Sequence, residues 1–157
     1  TQVYNRFLGK ITDDMYMELT PEDSVRDLRN LLIDAIPGFE FPRKSLEYKI
    51  EDGEGMDDKS YFVSELSSEE INILAILMMI GWIQRQVTSI ENTRMKYSGP
   101  DFRMTSQANH LQKLLTTLAE CRRDSLHMQR LYKRRKVGKD GSYESNWSSL
   151  RSQSAID

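Results

Sequence analysis

The feature that most constrains the fold is residues 71–83, a run that would be apolar on almost every side if it were helical. Only Asn72 and Gly81 interrupt its apolar side chains. Ser67 and Glu70 precede the run at the spacing of a capping box, which marks the start of a helix. A helix that is apolar all round has to be covered by other helices or by other subunits. The run is shorter than the ~20 residues that span a bilayer, which predicts a core helix and no membrane segment.

Two further helices are predicted around this core helix. Thr20 and Pro21 mark the start of one, because threonine caps free amides and proline fits the first helical position. The other is expected at 105–136 and would be about 48 Å long. A small core does not cover a helix of that length, so its far end is expected to project. Its apolar stripe consists of Ala108, Leu111, Leu114, Leu115 and Leu118, and the four leucines should pack on the 71–83 helix.

The rest of the N-terminal half is predicted to be short or irregular. Residues 1–19 are expected to form an arm or a short strand. Leu46, Tyr48 and Ile50 alternate with polar residues as in one short strand. Residues 51–58 hold five carboxylates, in an order that does not match a calcium loop, and indicate an exposed acidic loop. The predicted fold is mainly α: a small helical bundle at 20–136 with a long C-terminal helix, followed by an extended C-terminal docking arm at 137–157.

The charge of the chain is unevenly distributed along its length. The net charge is −2, but residues 1–70 hold 8 Lys and Arg against 17 Asp and Glu, a net charge of −9. Residues 71–157 carry the compensating excess of positive charge. A chain polarised in this way can pack its two halves together, or can place opposite charges of neighbouring copies in contact.

The end of the chain carries the candidate binding residues. A basic cluster closes the long helix, and the segment beyond it is too short and polar to hold a core of its own. Burying one tryptophan of that segment removes roughly 150–250 Å² from water, an upper-bound gain of about 4–6 kcal/mol. The segment should therefore dock on its own domain or on another chain, while the cluster could meet a protein partner, nucleic-acid phosphates or only solvent. The candidate partner-binding residues are Arg130, Lys133, Arg134, Arg135, Lys136, Tyr143, Trp147 and Leu150.

Residues suited to catalysis or metal binding do not form a recognisable pattern. His110 and His127 lie seventeen residues apart without a carboxylate or thiol at zinc-ligand spacing. Cys121 is the one cysteine, which excludes an intrachain disulfide, and the pattern is typical of a buried structural thiol. No glycine-rich phosphate loop is present. The sequence predicts a protein without cofactor, metal or enzymatic activity.

Several motifs of the chain resemble those of tailed-bacteriophage head-to-tail connector (neck adaptor) proteins. The likeness covers most of the chain and rests on packing and turn residues. The motifs are AIPGFEFP at 35–42, WIQRQ at 82–86, IE at 90–91, MKYSGPDF at 95–102, TSQANHL at 105–111 and LYKRR at 131–135.

This resemblance implies a structural virion protein at the head–tail junction, assembled in the host cytoplasm. Such connectors are helical, form a ring that commonly has twelve copies, and send a C-terminal arm onto the portal protein. The segment from Gly138 onward is the implied arm, and the ring would also contact a tail or tail-completion protein and surround the genomic DNA. The acidic half of one subunit would meet the basic helix end of the next.

Two alternatives remain open at this point. The same features would serve a tail-completion or baseplate protein of a phage. A different class is a nucleic-acid-binding helical protein that uses the basic end of its last helix.

Overall fold

The fold is mainly helical, as the sequence predicts, with a long helix near the C-terminus. A computed structural model describes residues 2–11, 19–51, 59–96, 105–137 and 143–145. Among these residues the elements are the helices α1 (Gln2–Leu8), α2 (Pro21–Ala35), α3 (Ser68–Lys96) and α4 (Thr105–Arg134), a 3-10 turn at Ile36–Gly38, and the strands β1 (Tyr48–Lys49), β2 (Tyr61–Phe62), β3 (Arg135–Val137) and β4 (Tyr143–Ser145).

Helix α3 is the centre of the bundle, because α1, α2 and α4 all pack against it. Its first 25 residues, Ser68–Asn92, are long and apolar enough to cross a membrane by length and composition alone. The core helix of a soluble protein passes the same test, and α3 packs against three other helices.

The starts of two helices are built by the caps that the sequence indicates. The Thr20 hydroxyl accepts a hydrogen bond from the backbone N–H of Asp23, and Pro21 occupies the first turn of α2. At the start of α3, the Glu70 N–H donates to the Ser67 hydroxyl, and the Ser67 N–H donates to the Glu70 carboxylate at 2.7 Å. Each cap satisfies amides that the helix itself leaves without partners.

The predicted arm or short strand at the N-terminus is wrong for residues 2–8, which form helix α1. Val3, Tyr4 and Phe7 lie on one face of α1 and are buried in the same core as α2 and α3. A helix of seven residues is unstable in isolation. Its stability therefore comes from this burial, which its local sequence does not indicate.

The buried residues form two clusters that meet along α3. The larger cluster joins α1, α2, Phe39, the first half of α3 and Tyr132. The smaller cluster joins only α3 and α4, through Ile83, Val87, Leu111 and Leu118. The molecule thus has a broad end, where all four described helices contribute buried residues, and a narrow end, where the buried apolar residues come from α3 and α4 alone.

Two expectations for α4 need correction. Leu111 and Leu118 pack on α3 as predicted, but Ala108 is exposed and Leu115 is 39% exposed, so the predicted stripe is partly wrong. The far end of α4 does not project, because α3 is almost as long and covers α4 as far as Tyr132. The buried stripe continues past Leu118 through polar and mixed residues, namely Cys121, Ser125, Met128, Gln129 and Tyr132.

Two short antiparallel hairpins complete the described residues. β1 pairs with β2, so that Tyr48 stands opposite Phe62, which confirms part of the short strand predicted there. β3 pairs with β4 immediately after α4, which ends at Arg134 and not at residue 136. Most of the predicted loop at 51–58 and of the predicted arm at 137–157 lies outside the described residues, so these two predictions remain predictions.

Candidate partner-binding surface at the end of helix α4

The C-terminal end of α4 is fastened to the bundle by buried polar side chains. Tyr132 is only 2% exposed, and its hydroxyl donates a hydrogen bond to the Glu70 carboxylate at 2.5 Å. One turn earlier, the Gln129 side chain accepts from the Glu40 N–H at 2.9 Å and donates to the Gly38 carbonyl at 3.1 Å. Two helices and the segment after α2 therefore meet at one point.

The charge of Glu70 is retained at this point although the side chain is buried. Burial by itself raises the pKa of a carboxyl, but the hydrogen bonds from Tyr132 and Ser67 outweigh it, so the pKa of Glu70 lies below its ordinary value of 4.5. Burial and the hydrogen bond to Glu70 raise the pKa of Tyr132 to about 12. The pair is therefore a carboxylate and a neutral phenol over the whole physiological range.

Arg43 caps the last turn of α4 from outside the helix. Its guanidinium lies 4.1 Å from the centre of the Tyr132 ring and donates to the carbonyls of Tyr132 and Arg135. Carbonyls at a helix C-terminus lack partners in the helix and carry partial negative charge, which a cation complements. An ion pair of 2.9 Å between Arg135 and Glu69 ties the start of β3 to the first turn of α3. We call the contacts that join Arg43, Glu69 and Glu70 to Tyr132 and Arg135 the clamp.

A basic patch that includes two exposed apolar side chains lies beside the clamp. Phe41 is 50% exposed and Leu126 is 43% exposed. The Lys133 ammonium lies 3.8 Å from the centre of the Phe41 ring, at cation–π distance. Residues 122, 126, 130 and 133 follow helical spacing and share one face of α4. We call this surface the basic patch; its residues are Phe41, Arg122, Arg123, Leu126, Arg130, Lys133 and Arg134.

The structure brings some of the predicted binding residues together and separates others. Arg130, Lys133 and Arg134 are exposed members of the basic patch. Arg135 is exposed too, but its guanidinium pairs with Glu69 and its carbonyl with Arg43, so it belongs to the clamp.

The remaining predicted residues are only partly described or not described. In the hairpin after α4, Lys136 stands opposite Glu144, and Val137 stands opposite Tyr143. Trp147 and Leu150 lie outside the described residues. Their role as docking anchors therefore stays a prediction.

Sequence reasoning missed Phe41, Leu126 and Arg43. The proline at 42 indicates extended backbone for Phe41. Phe41 lies beside α4, however, because the Gln129 side chain of α4 forms hydrogen bonds with the backbone of Gly38 and Glu40. Leu126 continues the helical spacing from Arg122, a signal that could have been followed. Nothing in the sequence around Arg43 indicates that it caps the end of α4.

The other candidate reactive groups lie apart from this surface. His110 and His127 are exposed on α4, and the residues that the structure describes include no group of three His, Cys, Asp or Glu able to hold a metal ion. Burial, together with Asp124 and Glu120, raises the pKa of Cys121, which leaves its thiol protonated and weakly nucleophilic.

A groove of about 860 Å³ runs between α2 and α3, on another side of the molecule. Its floor is apolar around Leu31 and Leu77, and its polar rim includes Arg85. Arg85 forms ion pairs with Asp27 at 2.7 Å and Asp34 at 3.3 Å, so its charge is already used within the fold. Gly38 lets the segment after α2 approach closely, because a Cβ there would lie 3.1 Å from Leu77. The groove is accounted for by the packing of α2 on α3.

Comparisons with protein-family models, with curated proteins and with solved structures find no match to this chain. The clamp, the basic patch and the sequence that follows them are the features that indicate a function.

Proposed function

We propose that this chain is a non-enzymatic structural protein of a tailed-phage particle. In this proposal it forms a ring, of about twelve copies if the resemblance holds, between the portal and the tail, and docks on the portal through residues 137–157. The ring surrounds the channel through which DNA leaves the head. Its location is the head–tail junction of the virion, where it also contacts a tail or tail-completion protein.

The observation that carries the proposal is the clamp at the end of α4. Arg43, Glu69 and Glu70 hold the last turn of the helix and the first residue of β3. The β3–β4 hairpin therefore begins at a fixed place at the end of α4, next to the basic patch. A segment that starts from a rigid base loses less conformational freedom on binding than one on a loose terminus.

The composition of the final segment supports docking on another protein. Residues 146–157 hold one tryptophan, one leucine and one isoleucine among mainly small polar residues. Binding energy at protein interfaces is concentrated in a few buried side chains, with tryptophan and tyrosine enriched among them. Trp147 is the strongest candidate for such an anchor.

The test is the substitution Trp147→Ala. We expect it to weaken ring assembly or portal binding about 30-fold, the equivalent of a 2 kcal/mol hot spot. The reason is that the indole ring would no longer fill a pocket on the partner. Sedimentation velocity of the purified chain, alone and with the portal protein of the same phage, measures both interactions. Ser148→Ala in the same segment is the matched control.

The thermal unfolding midpoint of the isolated chain should stay unchanged in both variants. A large drop in that midpoint for Trp147→Ala would mean that the indole is covered by its own domain, which contradicts the docking role. Unchanged assembly and portal binding would contradict it as well.

A second candidate function is binding of a nucleic-acid backbone by the basic patch. The patch holds five cations between residues 122 and 134, and within the described part of the chain Arg122, Arg130 and Arg134 form no ion pair. If all five cations contact phosphates, log K should fall with log salt at a slope of about −4 to −5 on duplex DNA. Absent or salt-independent binding removes this candidate.

The order of the phage genes distinguishes the proposed neck adaptor from the remaining alternative, a tail-completion or baseplate protein. A tail-completion or baseplate protein would be encoded among tail genes, and a neck adaptor beside the portal gene.

A further inference from the structure

We propose that the basic patch receives the acidic segment 51–58 of a second copy of this chain. The inference rests on the proposed ring assembly and assigns the two surfaces that join one subunit to the next. The partner is thus a carboxylate-rich segment of the same protein.

The receiving surface has unused charge and exposed apolar area together. Arg122, Arg130 and Arg134 are exposed and have no ion-pair partner among the described residues. Asp124 is the one acidic residue between positions 122 and 134, and it lies 3.8 Å from Arg123. Phe41 and Leu126 add an apolar centre, which plain solvation of a charged face does not require. A surface of this kind suits a partner with carboxylates around an apolar side chain.

The acidic segment has the complementary composition. Five of its eight residues are Asp or Glu, none is basic, and Met56 is its one large apolar side chain. The five carboxylates thus complement the three cations of the patch that have no ion-pair partner in the described part of the chain, Arg122, Arg130 and Arg134. Met56 complements the exposed apolar side chains Phe41 and Leu126. Methionine packs readily against aromatic rings such as that of Phe41.

The hairpin that carries this segment also exposes apolar side chains. Residues 52–58 connect β1 to β2, and beside these strands Ile50, Tyr61 and Val63 are 54%, 44% and 51% exposed. They would enlarge the contact beyond the charged residues. An interface with an apolar part and a charged rim is typical of specific protein association.

The two surfaces are formed by different elements of one subunit, the patch by α4 with Phe41 and the acidic segment by the connection between β1 and β2. A hydrogen bond of 2.9 Å between the hydroxyls of Tyr4 and Tyr48 ties the β1–β2 hairpin to α1. The patch includes Phe41, which lies in the segment after α2 and contacts Lys133 of α4. Two different surfaces that complement each other give a head-to-tail contact, which closes into a ring when the rotation between subunits allows it.

The test exchanges charge between the two surfaces in the full-length chain. Arg130→Glu with Arg134→Glu reverses the patch, and Asp57→Lys with Asp58→Lys reverses the segment. We expect each pair alone to weaken self-association at least about tenfold, because like charges then face each other. The four substitutions combined should restore association to about the wild-type level. Sedimentation velocity at about 0.05 M and about 0.5 M salt gives the association constants, with weaker wild-type association at the higher salt.

The matched control is Lys113→Glu, a charge reversal at an exposed position of α4 outside the patch. It should leave association unchanged, and circular dichroism should show native helix content for every variant.

Each other outcome overturns the inference in a recognisable way. Loss of association in both single-surface variants without rescue in the combined variant would mean that the two surfaces do not meet. A change in the monomer's sedimentation without a change in association would mean that the segment binds the patch of its own copy.

Two further results separate this inference from the proposed function. If every variant assembles as the wild type does, the inference is wrong while ring assembly stands. If the wild type forms no assembly at any concentration, alone or with the portal, both are wrong.

Discussion

Tyr132 and Glu70 share a hydrogen bond at the point where α3, α4 and the segment after α2 meet. The Tyr132 hydroxyl also accepts a hydrogen bond from the Arg43 N–H at 3.2 Å, and its ring packs edge-on against Phe39. The phenol thus combines the buried area of an aromatic ring with two polar contacts.

Removing only the hydroxyl isolates the polar contribution of Tyr132. Tyr132→Phe keeps the ring but leaves the Glu70 carboxylate and the Arg43 N–H without this partner. We expect the free energy of unfolding to fall by about 1–3 kcal/mol, the cost of leaving buried polar groups unsatisfied. Urea unfolding measures it, with Tyr61→Phe, at a 44% exposed tyrosine, as the control. Equal unfolding midpoints for the two variants would contradict the structural role of this bond.

The same pair predicts how stability depends on pH. The pKa of Glu70 is lower in the folded chain than in the unfolded chain, so its contribution is present above its ordinary value of 4.5 and is lost as pH falls through the folded pKa. Between about pH 6 and about pH 3 the wild type should therefore lose more stability than Glu70→Gln, which cannot titrate there. Urea unfolding across this range tests the difference. Parallel losses in both proteins would show that other carboxyls govern acid unfolding.

At the scale of elements, α4 shows which features the sequence discloses. Leu111 and Leu118 belong to the apolar stripe that the sequence indicates, and both are buried. The stripe then continues through Ser125 and Gln129, which are 3% and 5% exposed. Hydrophobic periodicity does not detect a buried serine or glutamine, because their burial is stabilised by hydrogen bonds to groups distant in sequence.

Two leucines of α4 provide a matched comparison of buried and exposed faces. Leu118→Ala should lower the free energy of unfolding by about 2–5 kcal/mol, since Leu118 is 7% exposed in the smaller cluster. Leu115→Ala, at a 39% exposed position of the same helix, should change it by about 0.5 kcal/mol or less. Chemical unfolding of both variants gives the two values. Similar losses would mean that Leu115 is covered as the sequence pattern alone suggests.

Helix starts and helix existence differ in how far they depend on local sequence. The caps at Thr20 and Ser67 were predictable because a cap involves residues only three positions apart. Helix α1 was not, because its three buried residues are stabilised by packing against α3 within the larger cluster. The basic residues of the candidate surface could be predicted because they lie close together in the sequence. Phe41 and Arg43 could not, because they contact α4 only in the folded chain.

At the scale of the whole molecule, stability should be graded from the broad end to the narrow end. The buried residues at 71–78 of α3 belong to the larger cluster, whereas Ile83 and Val87 belong to the smaller cluster with Leu111 and Leu118 of α4. Because local opening is easier where fewer apolar contacts are lost, amides at 84–92 and 108–116 should exchange hydrogen faster than amides at 71–78. Native-state hydrogen exchange read by mass spectrometry tests this order. Uniform protection along α3 would mean that the narrow end opens only with the whole bundle.

The cap that Arg43 places on α4 also determines how the domain would carry tension. A pull on the chain beyond Ser145 first meets the pairing of β4 with β3, in which Ser145 stands opposite Arg135. The carbonyl of Arg135 is held by Arg43, and its guanidinium is held by Glu69. Arg43 follows α2 and Glu69 lies in the first turn of α3, so the load divides between two elements before it reaches the backbone hydrogen bonds of α4. A helix pulled at an unsupported end unravels turn by turn. Here the last turn is anchored from the side, and the force passes into the broad end of the bundle.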